Sequence, residues 1–180
     1  MQSTTLDGLQ DLTFHGGTTI KRSLPLPALT RFASTLRIIR LYTCIIKDSV
    51  AFGLTVLEHQ LQGILFPQLK TLQLSDICIS EEIIQQLLAR CTALELLQLE
   101  GLHGPRSLRI DSPKLRAIGI TEMCRHDCDM EFRELVVEDA PCLKILVVLG
   151  NMPERSIRVV SAPKLTLLSY MSVDSEMLRI

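Results

Sequence analysis

Leu94-Glu95-Leu96-Leu97-Gln98-Leu99 places large apolar residues at its first, fourth and sixth positions, and the same phrase returns along the whole chain. Toward the N-terminus it reads Leu69-Lys-Thr-Leu72-Gln-Leu74, Leu36-Arg-Ile-Ile39-Arg-Leu41 and Leu9-Gln-Asp-Leu12-Thr-Phe14. Toward the C-terminus it reads Leu115-Arg-Ala-Ile118-Gly-Ile120, Leu143-Lys-Ile-Leu146-Val-Val148 and Leu165-Thr-Leu-Leu168-Ser-Tyr170. The seven starts lie 21 to 33 residues apart. A unit that short cannot bury its apolar side alone, so stacked copies must share one continuous core.

The pattern is that of a leucine-rich repeat. It predicts an α/β fold: a curved solenoid of about seven irregular repeats over residues 1–180, with a parallel β-sheet on its concave face. Leu72, Leu74, Leu97, Leu99, Ile118, Ile120, Leu146 and Val148 should be buried in neighbouring strands. Four repeats are entered through a Pro-x-Leu step, at Pro67, Pro113, Pro141 and Pro163. Proline has no backbone donor and a fixed φ, which suits a turn feeding a strand. Before three of these turns runs a second alternating segment, Leu108–Ile110, Leu135–Val137 and Ile157–Val159. The second half therefore reads as strand, proline turn, strand. In the first half helices are expected on the convex side. Ser80, Glu81 and Glu82 form a capped, acidic helix start ahead of Ile83, Ile84, Leu87 and Leu88 on one face. A further helix is expected from about Asp48 to Leu61, ending at Gly63. The Asn ladder that bonds the turns of many such repeats has little to build on. Its positions hold Gly17, Cys44, Ile77, Leu102, Met123, Asn151 and Val173, so the turn backbones need other partners.

Charge and composition narrow the function classes. Lys plus Arg number 19 against 20 Asp plus Glu, which gives no electrostatic reason to expect nucleic acid or an anionic membrane. The longest apolar run, Ile145 to Leu149, is far too short to span a bilayer. Residues 1–5 have neither the basic start nor the apolar stretch of a secretion signal, which points to a cytoplasmic or nuclear protein. Cys44, Cys78, Cys91, Cys124, Cys128 and Cys142 then read as free thiols. Cys124-Arg-His126-Asp127-Cys128 is the one cluster with metal-ligand chemistry, but a closed zinc site takes four ligands and usually a second distant pair. A polar loop between repeats is the better reading, so no metal and no cofactor are expected. The chain holds no Gly-x-Ser-x-Gly, no His-Glu-x-x-His and no phosphate-binding glycine loop, and no enzymatic activity is expected.

Strand side chains alternate, so residues between the core positions point outward. In the first five repeats they are His15, Arg40, Tyr42, Gln73, Ser75, Asp76, Gln98, Glu100, Thr121 and Glu122, a polar strip for recognition or simply for solvation. The last two repeats offer Ile145, Val147, Leu149, Leu167, Ser169 and Met171, five of them apolar on two neighbouring strands. Such a patch marks either an interface or a surface covered by further sequence.

Leu6–Leu12, Arg31–Arg37, Leu88–Glu95, Glu134–Leu143 and Ser161–Leu165 resemble plant F-box/leucine-rich-repeat proteins, especially the large grass set. The Glu138-Asp-Ala-Pro-Cys-Leu143 phrase and the repeated Ser/Ala-Pro-Lys-Leu phrase carry most of that resemblance. In that family an F-box binds the Skp adaptor of a cullin ubiquitin ligase and the repeats choose the substrate. The resemblance implies a protein-interaction module of that kind. Two alternatives are a surface that senses a small molecule for a partner protein to read, and a truncated gene remnant without function. No F-box precedes Leu9, so adaptor binding is not expected, and Met177–Ile180 stops inside what reads as a further repeat, as in an incomplete chain. With no polar cap at either end, self-association through the last repeats is expected.

Overall fold

A computed structural model describes residues 8–17, 22–23, 29, 31–46, 65–121, 132, 134–150 and 156–171. Its strands are β1 (Asp11–His15), β2 (Arg22–Ser23), β3 (Ile38–Tyr42), β4 (Cys44–Ile46), β5 (Thr71–Ser75) and β6 (Cys78–Ile79). There follow β7 (Leu96–Glu100), β8 (Ser107–Asp111), β9 (Ala117–Thr121), β10 (Glu134–Asp139), β11 (Ile145–Leu149), β12 (Ser156–Val159) and β13 (Leu167–Met171). One helix, α1 (Glu81–Ala89), lies between β6 and β7.

Each leucine phrase becomes one strand of a seven-stranded sheet in the order β1-β3-β5-β7-β9-β11-β13, parallel throughout. The register is unbroken: the fourth residues Leu12, Ile39, Leu72, Leu97, Ile118, Leu146 and Leu168 are cross-strand partners. The eight interior residues singled out by the repeat pattern are all buried, at 0 or 1 % exposure. Full burial of such a side chain contributes about 1.5–3 kcal/mol.

Five repeats turn into their strands the same way, whereas Leu36 donates to Phe32 four residues back. The amide of the leading leucine donates to a carbonyl three residues back, Leu69 to Phe66, Leu94 to Cys91, Leu115 to Ser112, Leu143 to Ala140 and Leu165 to Ala162. In four of these turns the residue after the acceptor is the expected proline. Leaving the strand, the chain takes a left-handed corner at the eighth repeat position, at Thr43 (φ 49°), Asp76 (φ 53°), Gly101 (φ 54°) and Gly150 (φ 133°). The amides at this position donate to the end of the next strand: Gly16 to Tyr42, Thr43 to Ser75, Asp76 to Glu100, Gly101 to Thr121 and Gly150 to Met171. This backbone ladder does what Asn side chains do in other repeats, and it frees Cys44, Ile77 and Leu102 to be buried as apolar core.

Beyond the corner the two halves differ. Early repeats form a short parallel sheet, β2-β4-β6, which the residue pattern did not suggest. Late repeats form β8-β10-β12 from the three alternating segments predicted to be strands. Helix α1 stands where the two arrangements meet. Ser80 caps it, its Oγ accepting from the Ile83 amide at 3.3 Å, and Ile83, Ile84 and Leu87 are buried.

The helix also closes a sheet edge. Strand β8 is the outer strand of its sheet, and an uncovered edge carries unpaired backbone groups. Glu81 Oε2 accepts from the amides of Arg106 (3.0 Å) and Ser107 (2.9 Å), and Glu81 Oε1 from Ser107 Oγ (2.8 Å). One turn on, the Gln85 side-chain amide, oriented to satisfy its partners, donates to the Arg109 carbonyl and accepts from the Arg109 amide. Four helical residues rise about 6 Å and two strand residues about 6.6 Å. Glu81 and Gln85 are thus spaced to act as the missing neighbour strand.

The expected helix from Asp48 to Gly63, the Cys124–Cys128 cluster and the ladder positions Met123, Asn151 and Val173 lie outside the described residues. Leu29, Arg31 and Phe32 are helical, a piece of helix for which no periodicity had been found.

Candidate functional site

The outward face of the seven-stranded sheet carries three rows of side chains, one from each odd position of the strands. The middle row runs Thr13, Arg40, Gln73, Gln98, Gly119, Val147, Ser169. The row at the strand ends runs His15, Tyr42, Ser75, Glu100, Thr121, Leu149, Met171. The fold thus brings the candidate residues, drawn from strands up to 156 residues apart in sequence, onto one surface. Glu122 lies outside the described residues. One expected member is covered and one is displaced. Ser75 is buried, and its Oγ donates to Glu100 Oε2 at 3.2 Å. Asp76 is not on the face but in the left-handed corner, where its carboxylate lies over Gly101.

The third row, at the strand starts, was missed for the first five repeats: Asp11, Ile38, Thr71, Leu96 and Ala117, continued by Ile145 and Leu167. The signal was there. Alternation outward from the fourth position reaches the third residue of each phrase as surely as the fifth. This row is mostly apolar, with Leu96 38 % and Ile145 40 % exposed.

The face changes character along the stack. On β1 and β3 the His15 and Tyr42 rings stack, 4.5 Å apart and 9° from parallel. Beside them Arg40 grips both carboxylate oxygens of Asp11 at 3.0 Å. Such a half-exposed pair contributes about 0–1 kcal/mol, so it shapes the surface more than it stabilises the fold. Strands β5 and β7 present Gln73, Gln98 and Glu100. Strand β9 presents only Ala117, Gly119 and Thr121, and the nearest atom to a Cβ added at Gly119 is Gln98 Cγ at 4.0 Å. Strands β11 and β13 present Ile145, Val147, Leu149, Leu167 and Met171, all at least partly exposed.

The rim at the strand starts is charged. Arg37, Lys70, Glu95, Arg116 and Lys144 succeed one another there, each amide donating to the carbonyl of the residue before it in the row. Glu95 is gripped by Lys70 (3.0 Å) and Arg116 (3.6 Å), and the hydrogen bond and charge of Lys70 hold its carboxyl below the ordinary value.

A cavity lies away from this face. It has a volume of about 530 Å³ and is lined by Ile45, Ile46, Cys78, Ile79, His103 and Arg106, with the start of α1. Its carboxylate Glu81 is already committed to the edge of β8. None of the described cysteines Cys44, Cys78, Cys91 and Cys142 is joined in a disulfide. Burial pushes the Cys91 thiol up to about 12, and its Sγ donates to the Leu87 carbonyl at 3.0 Å, as an inert core thiol does. Among the described residues no group of three or more His, Cys, Asp or Glu is arranged to hold a metal ion, and no helix is long and apolar enough to cross a membrane.

Over residues 1–180 the chain matches the family described as "FBD-associated F-box protein At5g56370, LRR repeats". No curated protein and no solved structure matches it.

Proposed function

The chain belongs to the leucine-rich-repeat family of FBD-associated F-box proteins, and from that premise we propose that the seven-stranded sheet is the surface with which a cullin ubiquitin ligase chooses a protein substrate. The reading includes a curved solenoid whose concave side is this face, acting in the cytoplasm or nucleus, and it assigns the Skp adaptor no contact with these repeats. The observation that carries it is the patch on β11 and β13. Ile145, Val147, Leu149, Leu167 and Met171 stand together on an outward face, where a solvated surface has no use for them. No catalysis is assigned to the chain.

The test is cross-linking and mass spectrometry with the tagged protein in its own cells. The expected result is a protein partner whose cross-links fall on β7 to β13 and are lost when Val147 and Leu149 are both replaced by Lys. A partner that cross-links equally well to that folded variant would overturn the reading of the face. The ligase role is tested separately, by whether the partner's ubiquitin load falls when the protein is depleted.

A further inference from the structure

Two charges of opposite sign, neither in an ion pair among the described residues, bracket the apolar part of the face. Of the two described carboxylates on it, Asp11 is held by Arg40, while Glu100 accepts from the Ser75 hydroxyl and makes no ion pair among the described residues. On the opposite rim Glu95 uses up Lys70 and Arg116, while Lys144 makes no ion pair among the described residues. Both Glu100 and Lys144 are exposed.

Their separation follows from the register. Lys144 shares a row with Glu95, and Leu149 shares one with Glu100, so the two rims are five residues apart along the strand. That is about 16 Å at the usual rise, and the two intervening strand spacings add about 10 Å sideways, giving a diagonal of about 19 Å. Flanking the diagonal lie the apolar Leu96, Ile145 and Val147 and the polar Gln98, with Gly119 leaving the backbone of β9 open beneath. An extended chain covers about 19 Å in five or six residues.

We propose that the face over β7, β9 and β11 receives an extended segment of a partner protein carrying an acidic and a basic residue five or six positions apart, with apolar residues between them. This rests on the reading of the sheet as a protein-binding face. The acid meets Lys144, the base meets Glu100, and the apolar side chains cover Leu96, Ile145 and Val147. Opposite charges at the two ends set register and reject segments with like-charged ends, while the apolar contacts supply most of the affinity.

The experiment is selection from a displayed library of random nine-residue segments against the full chain. The expected enrichment is for an acid and a base five or six positions apart, flanking apolar residues. On Glu100→Lys the selected base is replaced by an acid, on Lys144→Glu the selected acid by a base, and each variant binds the original winners at least tenfold more weakly. Circular dichroism and thermal melting confirm that both surface variants fold. Winners without that charge pattern, winners unchanged by either reversal, or no enrichment at all would overturn the proposal. If Val147→Lys abolishes binding while both charge reversals leave it untouched, the face reading survives and this inference falls. If Val147→Lys has no effect, the face reading itself has failed.

Discussion

Leu97 and Leu168 occupy the same position of the same phrase, yet one is fully buried and the other is 57 % exposed. The pair one step along behaves alike, with Leu99 at 0 % and Tyr170 at 47 %. Leu97 sits in β7, between β5 and β9, whereas Leu168 sits in β13, whose one partner in the sheet is β11. The repeat pattern aims a side chain inward. What covers it is the neighbouring repeat on each side and the layer behind. In a stack that depends on neighbours, identical residues acquire different energies by place alone.

The strongest way to break this comparison is to truncate both leucines. Leu97→Ala should cost about 2–5 kcal/mol, the range for a buried leucine that leaves a cavity. Leu168→Ala should cost less than about 1 kcal/mol, because most of that side chain is already in water. Urea unfolding measures both, and similar losses would show that position in the stack does not set the energy.

Glycines give a second, smaller contrast. Gly101 is a left-handed corner in the middle of the stack, and an added Cβ would lie 2.5 Å from Asp76 Oδ1. Gly101→Ala should cost about 1–3 kcal/mol, mainly from the backbone conformation. Gly8, near the first strand, has nothing within 4 Å of an added Cβ. Gly8→Ala should therefore be neutral to within about 0.5 kcal/mol, and thermal melts of the two variants decide it.

Glu81 sharpens the comparison at the joint between helix and sheet. Partial burial raises its carboxyl pKa, but the hydrogen bonds from Ser107 and Arg106 outweigh this and leave the group below its ordinary 4.5. A carboxylate depressed on folding stabilises the fold above its unfolded pKa, and that contribution is lost as pH falls through the folded value. Wild type should lose stability through the acid range below about pH 4.5 more steeply than Glu81→Gln. The variant should be the less stable of the two at neutral pH. Parallel pH profiles would mean that the carboxylate does not hold the edge of β8.

The smallest effect is expected at Ser112. It is buried, and its hydroxyl has no partner among the described residues. Ala140 and Ala162 hold the same turn position in the next two repeats. Ser112→Ala should leave stability unchanged or raise it by up to about 1 kcal/mol, since no hydrogen bond is lost and an unmet polar group is removed. A loss above about 1 kcal/mol would reveal a partner for that hydroxyl.

Much of the candidate face was legible before the structure because a strand has a period of two. Arg40, Gln73, Gln98 and Val147 fall in one row for that reason alone. The row from Asp11 to Ala117 was equally legible and was overlooked by starting the face at the fifth position of the first five phrases. Asp76 was misplaced for another reason. Nothing local tells whether a strand end continues straight or turns through a left-handed corner when the corner residue is Thr43 or Asp76 rather than glycine. The sheet β2-β4-β6 was missed on the same account, since Cys78–Ile79 is too short to show any period.

By itself the sequence determined the repeat, the inward residues, the register of seven strands, the proline turns and the start of α1. All of these follow from spacing within a few residues, which alternation, proline geometry and side-chain capping translate directly into backbone. Only the tertiary structure decided which inward residues are truly dry, as Leu97 is and Leu168 is not. It also decided that corner amides replace the Asn ladder, that Glu81 and Gln85 complete the edge of β8, and that Glu100 on the face and Lys144 on its rim make no ion pair among the described residues. Each of these depends on groups about 20 or more residues apart meeting across the stack, and no local pattern records which neighbour a side chain will find.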